Sequence, residues 1–215
     1  MNKVDKPSQG PDRTEALAQY RRRAALYELE MALFEPIRRR AISRLALRRG
    51  DVVLDVGCGT GLSLDLLRQG IGAAGRIIGL DQSPEMIEQA RERVAQNHWR
   101  NVTLLCSPVE TADIPWMADA ALFHFTHDVL RRPEAVANVV HHLKPGARVV
   151  ASGLKWSWAI PANLFVWSAA LHSVTTLEGL DRPWSWLAER IGPLDVETLL
   201  LDTVYVASGR LADRV

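Results

Sequence analysis

The stretch Val52-Val53-Leu54-Asp55-Val56-Gly57-Cys58-Gly59-Thr60-Gly61 limits what this chain can fold into more than any other. Four of its first five residues are apolar, Asp55 being the exception, and three glycines follow at alternate positions. A run of this kind reads as a buried strand entering a turn. Glycines there supply left-handed backbone and let a ligand approach the main chain.

Extended and helical patterns alternate around this stretch, which predicts βαβ units and a mostly parallel sheet. Residues 13–48 read as helical, with a break near Pro36. Strand 52–56 leads to a helix over 60–69 with Gly70 as its stop. A second strand, 76–80, ends at Asp81. Ser83-Pro84 then reads as an N-cap and first helical position, opening a helix to about Asn97. Strands are expected over 102–106, 118–125 and 147–154. Pro133 opens a helix to about Leu143, and Lys144-Pro145-Gly146 is a turn. Residues 155–192 break the rhythm and hold five of the seven tryptophans. In that segment Ile160, Leu164, Trp167 and Leu171 share one helical face. Asp181-Arg182-Pro183 starts a second helix, which Gly192-Pro193 stops. Residues 194–201 and 203–208 read as two strands joined near Asp202.

With 215 residues, 47% apolar and 24% charged, the chain is expected to form one globular domain with a sizeable core. No apolar run approaches the roughly 20 residues of a membrane span. Residues 1–12 are polar and read as a disordered tail rather than a secretory signal. Cys58 and Cys106 form no CxxC pair, which suits a reducing, cytoplasmic setting. Residues 13–49 hold ten arginines against four glutamates, a net +6. That is either a solvated helix face or a surface for an acidic lipid, an anionic substrate or a subunit partner. Peripheral membrane contact and a homodimer therefore stay open. Nucleic acid is not expected, because no aromatic or glycine pattern accompanies the arginines.

The dinucleotide fingerprint needs G-x-G-x-x-G, but Leu62 stands where its third glycine would be. The glycine falls at Gly61 instead. Val53-Leu54-Asp55-Val56-Gly57-Cys58-Gly59-Thr60-Gly61 resembles motif I of the class I methyltransferases that use S-adenosylmethionine. Leu80-Asp81-Gln82-Ser83-Pro84-Glu85-Met86 is similar to their second motif, and Leu143-Lys144-Pro145-Gly146 to the start of their fifth strand. The resemblance covers roughly residues 15–210. It implies a Rossmann-like α/β fold: a seven-stranded, mostly parallel sheet with the last strand antiparallel and helices on both faces. Tyr20, Ala24, Tyr27 and Glu28 are similar to the opening of bacterial phospholipid N-methyltransferases and ubiquinone-pathway methyltransferases, with Glu28 in place of Asp. In those families this segment helps to cover the cofactor. The domain expected is therefore 13–215, with a helical cap over 13–49 and a substrate lid over 155–192.

The resemblance also assigns roles. Asp55 orients the methionine ammonium, and Gly57, Cys58, Gly59 and Gly61 form the loop around it. Asp81 accepts from the ribose hydroxyls. Gln82 and Met86 flank the adenine. Ser107 and Pro108 stand where the family often has an acid beside the adenine amino group, a departure that leaves adenine readout to a hydroxyl or to backbone groups. Phe125 and Thr126 approach the sulfonium, and His127 and Asp128 face the substrate. His127 suits a general base or, alternatively, a loop-ordering role. No metal is expected. The tryptophans of 155–192 line an apolar or cationic pocket, sit at a membrane interface or complete the core. The product would be S-adenosylhomocysteine and the acceptor a small, partly apolar or aromatic molecule. A phospholipid acceptor and a non-catalytic binding protein are the alternatives.

Overall fold

Seven strands form one sheet in the computed structural model, which describes residues 34–158, 160–164, 166–167 and 178–212. In chain order they are β1 (Val52–Val56), β2 (Arg76–Asp81), β3 (Val102–Cys106), β4 (Ala118–His124), β5 (Leu143–Leu154), β6 (Asp195–Leu199) and β7 (Val204–Arg210). Their order across the sheet is β3-β2-β1-β4-β5-β7-β6. The pairs from β3 to β5 are parallel, while β7 runs antiparallel to both β5 and β6. This is the expected Rossmann-like arrangement.

Six helices accompany the strands among the described residues: α1 (Glu35–Arg44), α2 (Leu64–Ile71), α3 (Pro84–Gln96), α4 (His127–Leu130), α5 (Pro133–His141) and α6 (Ser185–Ile191). Successive side chains on a buried strand face opposite sides, so each strand feeds two cores. Leu54, Ile78, Phe123 and Val149 pack against Val136 and Val139 of α5 and Leu187 of α6. Val53, Ile77, Leu122 and Val150 pack against Ile37 and Ala41 of α1 and Leu64 and Leu67 of α2. Trp184 joins the first core, its ring 4.7 Å from that of Tyr205.

Several boundaries moved for local reasons. The helix expected from residue 60 begins at Leu64, because Gly61 is left-handed at φ 81. Gly70 lies inside α2, and Gly72 at φ 68 ends it. The turn at Lys144-Pro145-Gly146 is an irregularity at the start of β5: Ala118 pairs with Leu143 but Ala120 with Arg148. The short α4 and the 3-10 turns were not foreseen. The N-terminal tail, Tyr20, Tyr27 and Leu171 lie outside the described residues.

Part of the basic segment is spent inside the molecule. Arg40 of α1 donates through Nε and Nη2 to the two carboxylate oxygens of Glu197 of β6, each at 3.0 Å, and Arg44 pairs with Asp195 at 3.0 Å and Glu197 at 3.2 Å. Arg38 and Arg39 pair with Glu35. Among the described residues no helix is long and apolar enough to cross a membrane.

Phe123 is fully buried at the centre of the sheet. Phe123→Ala is expected to lower stability by about 3 to 5 kcal/mol, read as a lower urea midpoint.

Candidate active site

A cleft of about 740 Å³, mouth included, opens at the carboxyl ends of β1, β2 and β4. From β1 the chain crosses through α2 to β2 and onward to β3; from β4 it crosses the other way to β5. The divergence leaves a gap between β1 and β4, the place where open α/β sheets bind ligands.

The glycine loop forms one wall. Gly57, Gly59 and Gly61 have φ values of 68, 55 and 81. A Cβ on Gly57 would stand 2.3 Å from Cγ2 of Thr126, so only glycine lets β1 and the β4 exit pass each other here. The Gly59 N–H donates to Asp81 Oδ2 at 3.0 Å and the Ser83 N–H to Oδ1 at 2.9 Å. Asp81 thus ties the loop to the start of α3, with each oxygen retaining a lone pair. Burial pushes its carboxyl above the ordinary range, and these backbone N–H groups pull it back. Ser83 caps α3 by accepting from the Met86 N–H at 3.3 Å, as its sequence position suggested.

The opposite wall begins at Phe125, left-handed at φ 56, a strained conformation for a bulky residue. Its N–H donates to Ser152 O at 2.8 Å and its ring lies 4.7 Å from Phe34. The reversal swings Thr126, His127 and Asp128 over the cleft. His127 Nε2 lies 3.1 Å from the backbone oxygen of Glu178. A carbonyl can only accept, so Nε2 carries the proton and Nδ1 holds a bare lone pair. Nδ1 is buried and has no hydrogen-bond partner. Burial lowers the His127 pKa to about 4, so the ring is neutral at pH 7.

Of the residues singled out from the sequence, Gly57, Gly59, Asp81, Gln82, Met86, Phe125, Thr126, His127 and Asp128 line the cleft together. Asp55 and Cys58 line a smaller pocket behind it, which Gly57 also borders. Gly61 lines neither, and a Cβ there would meet Leu64 Cδ1 at 2.7 Å. Ser107 and Pro108 also stay out of the cleft: the Ser107 hydroxyl donates to Pro108 O at 3.2 Å, and Val109 and Glu110 take the wall instead. The sequence reading missed Glu110 and Arg132, a pair 3.4 Å apart joining the β3 exit to the loop after α4. No local pattern marks such a pair.

Among the described residues no tryptophan lines the cleft. Trp184 is core, whereas Trp158, Trp167 and Trp186 are exposed. Segment 155–192 reaches the site through Glu178, which also pairs with Arg131 at 2.9 Å.

Burial raises the Asp55 pKa to about 7; Arg38 opposes the shift and Asp81 adds to it. Burial also pushes the Cys58 thiol up, so it is no thiolate nucleophile.

Comparison with known proteins agrees with this geometry. Residues 53–146, from the glycine strand to the start of β5, match the methyltransferase domain family. That segment is similar to the methyltransferase domain, on a fold like that of the class I enzymes. Aklanonic acid methyltransferase DauC of Streptomyces sp. (strain C5) is 31% identical over 124 residues, 56% of this chain and 56% of its own. The arsenite methyltransferase of Halobacterium salinarum is 47% identical over 123 residues, 55% of this chain and 31% of its own. The matches thus span little more than half of these curated relatives, or less. The N-methyltransferase NodS of Bradyrhizobium japonicum WM9, solved with S-adenosylhomocysteine, superposes with a TM-score of 0.65 at 18% identity, over 91% of this chain and 98% of that one. A Haloferax volcanii complex of the Trm112 activator with a methyltransferase gives 0.71 at 18%, over 93% and 99%.

The cofactor of class I methyltransferases is S-adenosylmethionine, and the residues present here fit it. The Gly57 cradle, the spare lone pairs of Asp81 and the apolar wall of Met86 and Val109 suit a nucleoside. Behind Gly57, buried polar atoms without partners suit its charged end.

Gly57→Ala should cost about 1 to 2 kcal/mol of backbone strain and lower S-adenosylhomocysteine affinity at least tenfold by calorimetry. Adding Thr126→Ser, which removes the clashing methyl, should recover part of both losses.

Asp55 makes a second prediction. The folded chain keeps a proton on Asp55 between about pH 4 and 7 that the unfolded chain has lost. Its contribution therefore turns unfavourable as pH rises through that window and levels off above it. Ligand-free Asp55→Asn should match the parent near pH 4 and exceed it by roughly a few kcal/mol at pH 8, in urea unfolding.

Proposed function

We propose that this protein transfers the methyl group of S-adenosylmethionine to a small, partly apolar or aromatic acceptor. The reading rests on one cleft, which Asp81, Met86, Thr126, His127 and Asp128 line together. When bound, the sulfonium supplies an already activated methyl, displaced in line as the C–S bond breaks and sulfur keeps the electron pair.

What remains for the chain is to orient and to exclude water; positioning supplies roughly 7 to 11 kcal/mol in favourable cases. Asp81 holds the ribose hydroxyls while its bonds to Gly59 and Ser83 fix the loop. Met86, a buried residue of α3, presents an apolar face to the adenine. Phe125 and Thr126 close the site over the reacting sulfur. His127 faces the acceptor and takes its proton at Nδ1, with Nε2–H held by the Glu178 carbonyl. A base with pKa near 4 suits an acceptor that is already acidic or one that loses its proton after attack.

The phospholipid alternative loses part of its motive, since Arg40 and Arg44 are engaged by β6. The non-catalytic alternative predicts binding without turnover.

Calorimetry is expected to give micromolar affinity for S-adenosylmethionine and S-adenosylhomocysteine, and no binding at saturating ligand would sink the proposal. With an acceptor that turns over, His127→Asn should lower kcat/KM by about 100-fold. The parent profile should be flat from about pH 5.5 upward, because the base loses its lone pair only as pH falls through about 4. An acid limb near 6.5 would remove His127 from this role.

A further inference from the structure

Glu178 touches α4 at two points one helical turn apart. Its backbone oxygen lies 3.1 Å from His127 Nε2, and its carboxylate accepts from Arg131 Nη2 at 2.9 Å. His127 and Arg131 stand four positions apart, and the Arg131 N–H donates to His127 O at 3.1 Å, so the two side chains share one face of the turn. A single residue, 47 positions beyond Arg131, thus holds both.

The next two residues continue the grip. Gly179 is left-handed at φ 75, and a Cβ there would stand 3.2 Å from Arg131 Nε, so the chain passes close along the arginine. Leu180 is fully buried in the second core, and its carbonyl accepts from the Trp156 N–H at 3.0 Å. Residues 178–180 belong to no helix or strand, so no regular ladder fixes the Glu178 carbonyl. Leu180 anchors it from one side and the Arg131 pair from the other.

This pair does little for the stability of the fold. The Glu178 side chain is 76% exposed and that of Arg131 20%, and ion pairs open to water contribute little. What the pair fixes is a direction. A carboxylate tied to Arg131 sets where the carbonyl of the same residue points, one turn back. That carbonyl accepts the Nε2 proton of His127, which holds the ring plane and leaves Nδ1 bare.

We propose that Arg131 is a positioning residue for His127, acting through Glu178. Its catalytic meaning rests on the methyltransferase reading, to which it adds a residue that does not line the cleft. Segment 155–192 then acts on the chemistry by aiming the base. An electrostatic role would look different. The Arg131 charge disfavours a proton on His127. Removing Arg131 and removing the Glu178 carboxylate take away opposite charges, so an electrostatic role gives opposite effects on the ring. A positioning role makes the two changes equivalent, because either one releases the carbonyl.

The test is the exchange of the His127 ring N–H with water, followed by NMR at pH 7 in nitrogen-labelled protein without ligand. Its signal is identified by its loss in His127→Asn. The parent should show a slowly exchanging Nε2–H. Arg131→Met and Glu178→Ala should each speed its exchange at least tenfold, and the double variant should go no further than either alone. Arg131→Lys, which can form the pair again, should restore most of the protection. With an acceptor that turns over, both single variants should lower kcat at least fivefold, with KM for S-adenosylmethionine within twofold of the parent. Four results would overturn the proposal: a parent ring N–H that exchanges as fast as that of a surface histidine, exchange or kcat in the single variants within twofold of the parent, opposite changes in the two single variants, or losses that add in the double variant. If Arg131→Met does not fold, Glu178→Ala, on the more exposed side of the pair, decides. If the parent transfers no methyl to any acceptor, the methyltransferase reading fails, and ring exchange still decides whether Arg131 positions His127.

Discussion

Two neighbouring parallel strands, β1 and β4, send their chains in opposite directions across the sheet. Neither connection can fill the gap left at their carboxyl ends, and this opening dictates the rest of the site. The glycine loop folds in from one side and the Phe125 reversal from the other. They meet at Gly57 and Thr126, where an added Cβ would stand 2.3 Å from a methyl carbon. Apolar packing on both faces of the sheet holds these edges in place, so the gap survives as a cleft instead of collapsing.

Unfavourable local features gather at this opening. Phe125 is left-handed, Asp55 is an acid inside an apolar strand, and His124 and His127 are held neutral by burial. Elsewhere the left-handed non-glycine residues, Ala46, His98 and Leu200 to Asp202, lie between elements, and left-handed glycines end α2 and α6 as local preference dictates. A strained backbone and buried titratable groups brought together at one opening mark a ligand site.

The fold was legible in the sequence because strand burial and glycine geometry are local properties. Val52 to Gly61 announced the strand and the loop, and Ser83-Pro84 announced the helix after Asp81. The helix start at Leu64 and the irregular opening of β5 were misplaced, since both depend on how Gly61 and Gly146 bend the chain in three dimensions. The site was legible where residues follow a strand end, as Asp81, Thr126 and His127 do. It was not legible where a residue arrives from elsewhere. Arg38 comes from a helix 17 positions before Asp55 and looks like one more arginine in a basic segment. Glu110 and Arg132 become neighbours only when β3 and α4 are placed. The tryptophans misled because aromatic density says nothing about direction: Trp184 turned to the core, and Trp158 to solvent.

The buried polar atoms behind the glycine loop carry a consequence for the protein's life in a cell. A ligand that binds only the folded state adds stability in proportion to the logarithm of its concentration. Small changes of this size alter the fraction of chains exposed to proteases, and hence abundance. The methyl-donor pool would then set how many copies persist as well as how fast each one works, so that starvation for methionine would thin the population of this protein.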